Sequence, residues 1–178
     1  MRPLVVVATR AEAAHVPAGL RKVVTGIGKT AAAVATTRAV LEERPTHLVN
    51  VGSAGALRDG LTGIFEIGRV LNHDMNGDAI RALGYEPRDA FQVGPSAVVL
   101  ATGDVFVADP LVRAQLAERA HLVDMEGFAV AYAAAELGVP VTLVKHVSDN
   151  ADESAMDWVE AVAASARAVG DWLAARFG

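Results

Sequence analysis

A three-layer αβα sandwich around a mainly parallel, twisted sheet is the fold this sequence predicts, on three observations. Runs of Val, Leu and Ala without polar alternation at residues 3–8, 47–51, 96–101 and 140–147 have the pattern of strands covered on both faces. Helical patterns fall between them, and small or polar residues follow the strands where hairpin signals would otherwise stand. Strand–helix alternation of this kind builds a parallel sheet with helices on both faces. The 178 residues suit one domain with a sizeable core, and nothing in the chain suggests a boundary or a repeat.

Taken in order, residues 3–8 (PLVVVA) form a first strand that runs into Thr9, Arg10, Ala11 and Glu12. Residues 21–25 form a second, followed by Gly26-Ile27-Gly28-Lys29-Thr30-Ala31 and a helix to about Glu43, which Pro45 ends. The strand at 47–51 leads into Gly52-Ser53-Ala54-Gly55, predicted as a strand-end turn. Small residues there let backbone amides approach a sugar, a phosphate or a water, or simply make a tight turn. One strand is expected over 64–71, then a solvated His73-Asp74 pair, then an exposed connection over 85–95. After the strand at 96–101, Asp109-Pro110 opens a helix to about Ala120. Phe128, Ala131, Tyr132 and Ala135 repeat at helical spacing, so a helix begins near Glu126 and Gly138 caps it. The strand at 140–147 stops at Ser148, Asp149, Asn150 and Asp152. Val159, Val162, Ala166, Val169 and Leu173 mark a last amphipathic helix over 156–177, with Asp152 and Ser154 as capping candidates and Trp158 and Trp172 as packing residues.

Composition removes several classes of function. Net charge is −5 with no Lys/Arg cluster, so nucleic-acid and membrane-surface binding lack an electrostatic footprint. The chain has no cysteine, which excludes disulfides, thiolate catalysis and cysteine zinc sites and suits a cytoplasmic protein. The apolar run at 4–8 is too short for a signal-peptide core, and no run reaches membrane-spanning length. Gly28-Lys29-Thr30 ends like a phosphate-binding Walker loop, but Val23 stands where that loop needs glycine. Gly26, Gly28 and Ala31 fit a dinucleotide fingerprint, yet the next strand ends in Asn50-Val51-Gly52 and lacks the ribose-binding acid. No cofactor is expected, and no His spacing suggests a metal.

What remains is a set of carboxylates at element ends. Glu126 sits at a helix start and Asp149 at a strand's carboxyl end, where open α/β sheets bind ligands. Each also has a plain alternative: Glu126 complementing the helix dipole, Asp149 capping the next segment, Glu12 as a first-turn or loop acid. Phe106, just past the strand at 96–101, is either a stacking platform for a planar ring or a core residue.

Val123-Asp124-Met125-Glu126-Gly127 resembles the acid-Met-Glu signature of the nucleoside phosphorylase and nucleosidase superfamily, and Val147-Ser148-Asp149-Asn150-Ala151-Asp152 resembles its Ser-Asp signature. Glu12, Gly26-Ile27-Gly28-Lys29, Asn50-Val51-Gly52-Ser53-Ala54-Gly55 and Thr102-Gly103-Asp104-Val105-Phe106 fall in the matching order. The similarity is greatest to the methylthioadenosine/S-adenosylhomocysteine nucleosidases, in a shortened version. It implies a single nucleosidase-like domain over 1–178 acting on a small-molecule purine nucleoside, as a homodimer.

By this resemblance Asp149 protonates the purine at N7 and Glu12 activates the attacking water. Glu126 and Met125, with Asp124 beside them, hold the ribose hydroxyls. Ser53, Ala54 and Gly55 line the ribosyl side, Ser148 neighbours the acid, Phe106 stacks on the base, and the backbone near Val107 reads its edge. The chemistry asks for these types. Breaking an N-glycosidic bond leaves positive charge on the ribosyl carbon and negative charge on the base, so a carboxylate at one and a proton donor at the other lower the barrier. Asp149 then needs a desolvated position to keep a proton near neutrality. Phosphorylases of the superfamily tend to carry an arginine two positions before the Gly-Ser turn, where this chain has Asn50, so water is the expected nucleophile, with Arg10 as the residue that bears on this. The segments at 13–25 and 85–95 are shorter than in the family and shape the 5' side of the pocket. A futalosine-type substrate, phosphorolysis, and nucleoside binding without turnover are the alternatives.

Overall fold

The computed structural model describes residues 2–152 and 158–178. One mixed sheet of nine strands forms its centre. The strands are β1 (Pro3–Val7), β2 (Arg21–Val24), β3 (His47–Ala56), β4 (Ile64–Glu66), β5 (Arg69–Asn72), β6 (Ala90–Gln92), β7 (Val99–Thr102), β8 (Leu122–Asp124) and β9 (Val141–Asp149). The helices are α1 (Lys29–Glu43), α2 (Gly77–Ala82), α3 (Pro110–Ala117), α4 (Gly127–Glu136) and α5 (Trp158–Phe177), with a 3-10 turn at Glu12–His15. The path β2-β1-β3-β8-β7-β5-β6 is joined by β9 along β3 and by β4 along β9. Pairs β1–β2, β1–β3, β3–β9, β5–β7 and β7–β8 are parallel, so the sheet is mainly parallel as predicted.

Strand periodicity divides the core into two layers. Leu4, Val6 and Leu48 point to α1 and α4, where they meet Ala32, Val40, Val130 and Ala134. Val5, Val7, Val49, Val51 and Val144 point the other way, onto Val169 and Leu173 of α5 and Ala13 of the 3-10 turn. Further along the sheet Leu71, Ala101 and Val123 pack against Val112 and Leu116 of α3, on that second face. The predicted Trp172 packing is seen at a ring distance of 6.2 Å from Phe177. Val162, Ala166, Val169 and Leu173 are the buried stripe of α5, while the expected start at 156, the Ser154 cap and the Trp158 and Val159 side chains lie outside the described residues. Among the described residues no helix is long and apolar enough to cross a membrane.

Three expectations need correction. Gly52-Ser53-Ala54-Gly55 is no turn: β3 continues through it to Ala56, paired with β9, and the register shifts between Ala54 and Gly55. The strand expected over 64–71 is two, because Ile67 still bonds to Leu143 of β9 while Gly68 bonds to Val98, and the chain changes partner there. The connection at 85–95 contains the edge strand β6, and α2 precedes it with Asn76 capping through its side chain. The short β8 also went unread as a strand.

Candidate active site

The carboxyl ends of β1, β7, β8 and β9 and the far half of β3 border one open cleft. Glu12, Ser53, Ala54, Gly55, Phe106 and Val107 line it, as do Asp124, Met125, Glu126, Ser148 and Asp149, so every site residue read from the sequence meets at this one place. That is the crevice where open α/β sheets bind ligands.

Glu12 is set by a reciprocal cap. Its amide donates to Thr9 Oγ1 at 3.2 Å, and its Oε2 accepts from the Thr9 amide and hydroxyl, both at 3.1 Å. The same oxygen pair reaches across the sheet, where Oε1 accepts from Ser53 N at 2.9 Å and Ser53 Oγ at 3.0 Å. This explains the glycine inside β3: a Cβ on Gly52 would stand 2.8 Å from Glu12 Oε1. Glycine is kept there for close approach and not for turning, which is how the turn prediction went astray.

At the start of α4 the roles divide. Asp124 Oδ2 accepts from Gly127 N at 2.8 Å, and Oδ1 accepts from Thr102 Oγ1 at 2.5 Å. Thr102 Oγ1 in turn accepts from Phe128 N at 3.0 Å. Asp124 therefore caps the helix, and Glu126 makes no cap bond of its own. Glu126 Oε1 instead accepts from the amide of Gly28, on the loop after β2, at 2.8 Å. The dipole-complementing alternative does not describe where its carboxylate goes. Asp124 also lines the cleft, yet both its oxygens are committed inward and its side chain is 2% exposed.

Lys145 was missed in the sequence. Its side chain is 2% exposed, and Nζ lies 2.9 Å from Asp124 Oδ2 beneath the cleft floor. A lysine in the middle of a Val/Leu strand is the signal that was available, because a buried ammonium needs an anion beside it. Burial alone would lower its pKa; the attraction of Asp124, Glu126 and Glu12 overrides that and raises it above the ordinary lysine value. Burial, and then the neighbouring Asp124, push the Glu126 carboxyl up to about 7, against the pull of Lys145 and of the Gly28 amide.

The opposite end is more open. Asp149 Oδ2 accepts from Ser148 Oγ at 2.6 Å and Oδ1 from Ala151 N at 2.8 Å, so one oxygen does serve the turn that follows β9, as the plain alternative had it. Asp149 is only partly buried, in contrast to the desolvated position expected at a strand end. Phe106 is 49% exposed at the rim beside Val105 and Ile27, so it is not a core residue, while Val107 is buried. Among the described residues the lining contains no arginine or lysine; Arg10 is exposed outside it, and Asn50 is buried with its amide donating to Val6 O at 3.0 Å. Among the described residues no group of three or more metal-binding side chains is found.

A buried carboxylate pair facing a partly exposed acid at the strand ends of an α/β sheet defines a small-molecule cleft suited to glycosyl chemistry. The chain matches the family model described as Phosphorylase superfamily over residues 21–95 and 79–175, and it belongs to that superfamily. It is 31% identical over 156 residues to a 5'-methylthioadenosine/S-adenosylhomocysteine nucleosidase of Shewanella oneidensis, covering 71% of this chain and 65% of that protein. The corresponding protein of Shewanella piezotolerans is 31% identical over 175 residues, covering 80% and 75%. Against the first curated relatives the chain thus spans about 65% of their length. Among solved structures, a Helicobacter pylori 5'-methylthioadenosine/S-adenosylhomocysteine nucleosidase superposes with a TM-score of 0.85 at 24% identity, covering 97% of this chain and 96% of that one. A futalosine hydrolase of the same species superposes with a TM-score of 0.85 at 24% identity, covering 97% and 95%. At these identities the structural likeness is one of fold.

Proposed function

We propose that the chain hydrolyses the N-glycosidic bond of a purine nucleoside of the methylthioadenosine/S-adenosylhomocysteine type. The observation that carries this reading is the single cleft lined together by the buried Glu12 and Glu126, the half-buried Asp149 and the exposed Phe106. Glu126, with Met125, accepts hydrogen bonds from the ribose hydroxyls, and Ser53 to Gly55 form the wall on the ribosyl side. Phe106 covers the base and the backbone near Val107 reads its edge. Glu12, oriented from both sides by Thr9 and Ser53, takes a proton from water as the water oxygen bonds to the anomeric carbon. The bond from that carbon to the base nitrogen breaks with its electron pair going to the base, and Asp149 supplies a proton to the ring. Buried negative charge beside the ribosyl carbon favours the cation that develops there. A base stacked under Phe106 removes water from Asp149 and favours its protonated form.

The absence of arginine from the lining favours water over phosphate as nucleophile. A futalosine-type substrate is the second reading, favoured by the fold shared with a futalosine hydrolase at a TM-score of 0.85. We also propose a homodimer. Val34 and Leu41, seven apart on α1, are 63% and 62% exposed, and Ile27, in the loop before the helix, is 57% exposed and lines the cleft. A second copy covering that stripe would also close the rim. A cysteine-free chain of net charge −5 suits the cytoplasm and neither nucleic acid nor a membrane surface.

The test is a panel of methylthioadenosine, S-adenosylhomocysteine, adenosine, inosine and futalosine, each with and without phosphate, read by chromatography of the free base. Release from the first two without phosphate is the expected result. Release that requires phosphate makes the chain a phosphorylase. Binding by calorimetry with no release over hours makes it a nucleoside-binding protein.

A further inference from the structure

The sequence left Lys29, His73, Asp74 and Asp104 without a task, and they meet outside the cleft. The Lys29 amide, the first of α1, donates to Asp104 Oδ1 at 2.7 Å. Its ammonium donates to Asn72 Oδ1 at 2.9 Å and to Asp74, and lies 4.0 Å from Asp104 Oδ2. Asp74 Oδ2 accepts from the Asp104 amide at 2.8 Å, which closes the ring. Asp74, expected to be merely solvated, therefore ties together the loops that follow β2, β5 and β7, while His73 Nε2 is buried without a hydrogen-bond partner among the described residues. Burial works against the Asp74 carboxylate, but the bonds from Lys29 and the Asp104 amide outweigh it and hold its pKa below the usual value.

None of Lys29, Asp74 and Asp104 lines the cleft, but Lys29 and Asp104 each lie one or two bonded steps from a residue that does. Gly28, immediately before Lys29, gives its amide to Glu126. Gly28 has φ 94°, and a Cβ there would stand 3.0 Å from Asp104 Oδ1, so a glycine is what lets this loop rest on Asp104. Val105 and Phe106 follow Asp104 directly and stand at the rim.

We propose that Lys29 is a positioning residue: clamped by Asp74 and Asp104, it fixes the Gly28 amide on Glu126 and the Phe106 loop over the cleft, so that the sugar and base ends keep one spacing. The proposal rests on the nucleosidase reading for its substrate, not for its geometry. Glu126 is faced by Asp124, Lys145 and Glu12, all untouched by changes at the clamp. Lys29→Met and Asp74→Asn change the local charge in opposite senses, so an upward shift of Glu126 in both reports the Gly28 amide, whose bond favours the ionised form.

The experiment measures kcat and KM of the wild type, Lys29→Met and Asp74→Asn from about pH 5 to about pH 9, bracketing the titration of Glu126, with circular dichroism as the check on folding. For Lys29→Met a KM raised roughly tenfold or more is expected, with a smaller change in kcat, as for a site whose parts have moved apart. The acid limb of kcat/KM should move to higher pH, which a general loss of stability would not produce. Asp74→Asn should show both effects in smaller measure. A folded Lys29→Met with wild-type KM and an unmoved limb overturns the proposal. Should Lys29→Met not fold, the same two quantities in Asp74→Asn decide it. A wild type that releases no base from any nucleoside defeats the nucleosidase reading instead; the clamp is then read from the calorimetric Kd of methylthioadenosine, and equal affinity in wild type and Lys29→Met overturns it.

Discussion

At its floor the cleft buries Glu12, Asp124, Glu126 and Lys145 to 4%, 7%, 8% and 2% exposure, whereas at its rim Ile27, Val105 and Phe106 are 57%, 58% and 49% exposed. The floor is finished by the chain itself. Each carboxylate there has an amide or hydroxyl donor, and one ammonium offsets the charge of the group. The exposed part of the lining has apolar side chains, and the half-buried Asp149 of the same cleft is held only by Ser148 and Ala151 among the hydrogen bonds of the described residues. Charge that must be held before substrate arrives is built into the fold; contacts that depend on the substrate's shape are left at the edge.

The largest expected effect is at the floor. Lys145→Met removes the cation from among three buried carboxylates, and a loss of about 3–5 kcal/mol by urea unfolding is expected for breaking such a buried pair. A variant as stable as the wild type would mean the floor is not organised by charge. At the other end Asp149→Asn keeps an oxygen for the Ala151 amide. Turnover should fall by about 10² to 10⁴ while the Tm stays close to wild type, and near-normal turnover would take Asp149 out of the mechanism.

Glu126→Gln addresses the floor through pH. The Glu126 pKa is about 7 in the folded chain against 4.5 for the free side chain. Below the lower value both states hold the proton; between the two the unfolded chain gives it up first, so stability falls as pH rises. The Tm of Glu126→Gln relative to wild type should therefore climb between pH 4.5 and about 7 and level off above. A constant difference across that range would refute the assignment. The smallest effect is expected at the rim, where Phe106→Ala should change stability by no more than about 0.5 kcal/mol and raise KM by roughly 2- to 10-fold through lost stacking.

The sheet's central strands and the long helices were legible because their information is local. Uninterrupted Val and Leu at the first strand, helical spacing from Phe128 to Ala135, and Pro45, Gly138 and Asp109 as boundary residues all act within a few neighbours. What escaped depends on distant partners. Gly52-Ser53-Ala54-Gly55 has turn composition, but Gly52 is there to admit a carboxylate from forty positions away in the chain and Gly55 to admit Asp149 and Ala151 from the end of β9. The three-residue strands β4, β6 and β8 are too short to show a period. The acids of the cleft are legible through motif order, but the bonds by which Asp124 caps α4 and pairs with Lys145 depend on partners the motif does not contain. Thr9 and Glu12 do carry a capping-box spacing, and that signal alone would have placed Glu12 at a helical start with its carboxylate turned inward.

Because residues 52–55 belong to a strand laddered to β9, that wall of the cleft is knitted by main-chain bonds and has no slack with which to swing aside. On the proposed reading, a nucleoside would then enter past the exposed Ile27 and Phe106 of the lining, and its rates of entry and departure would be set by the loops that carry them, with the paired strands as an unyielding backstop.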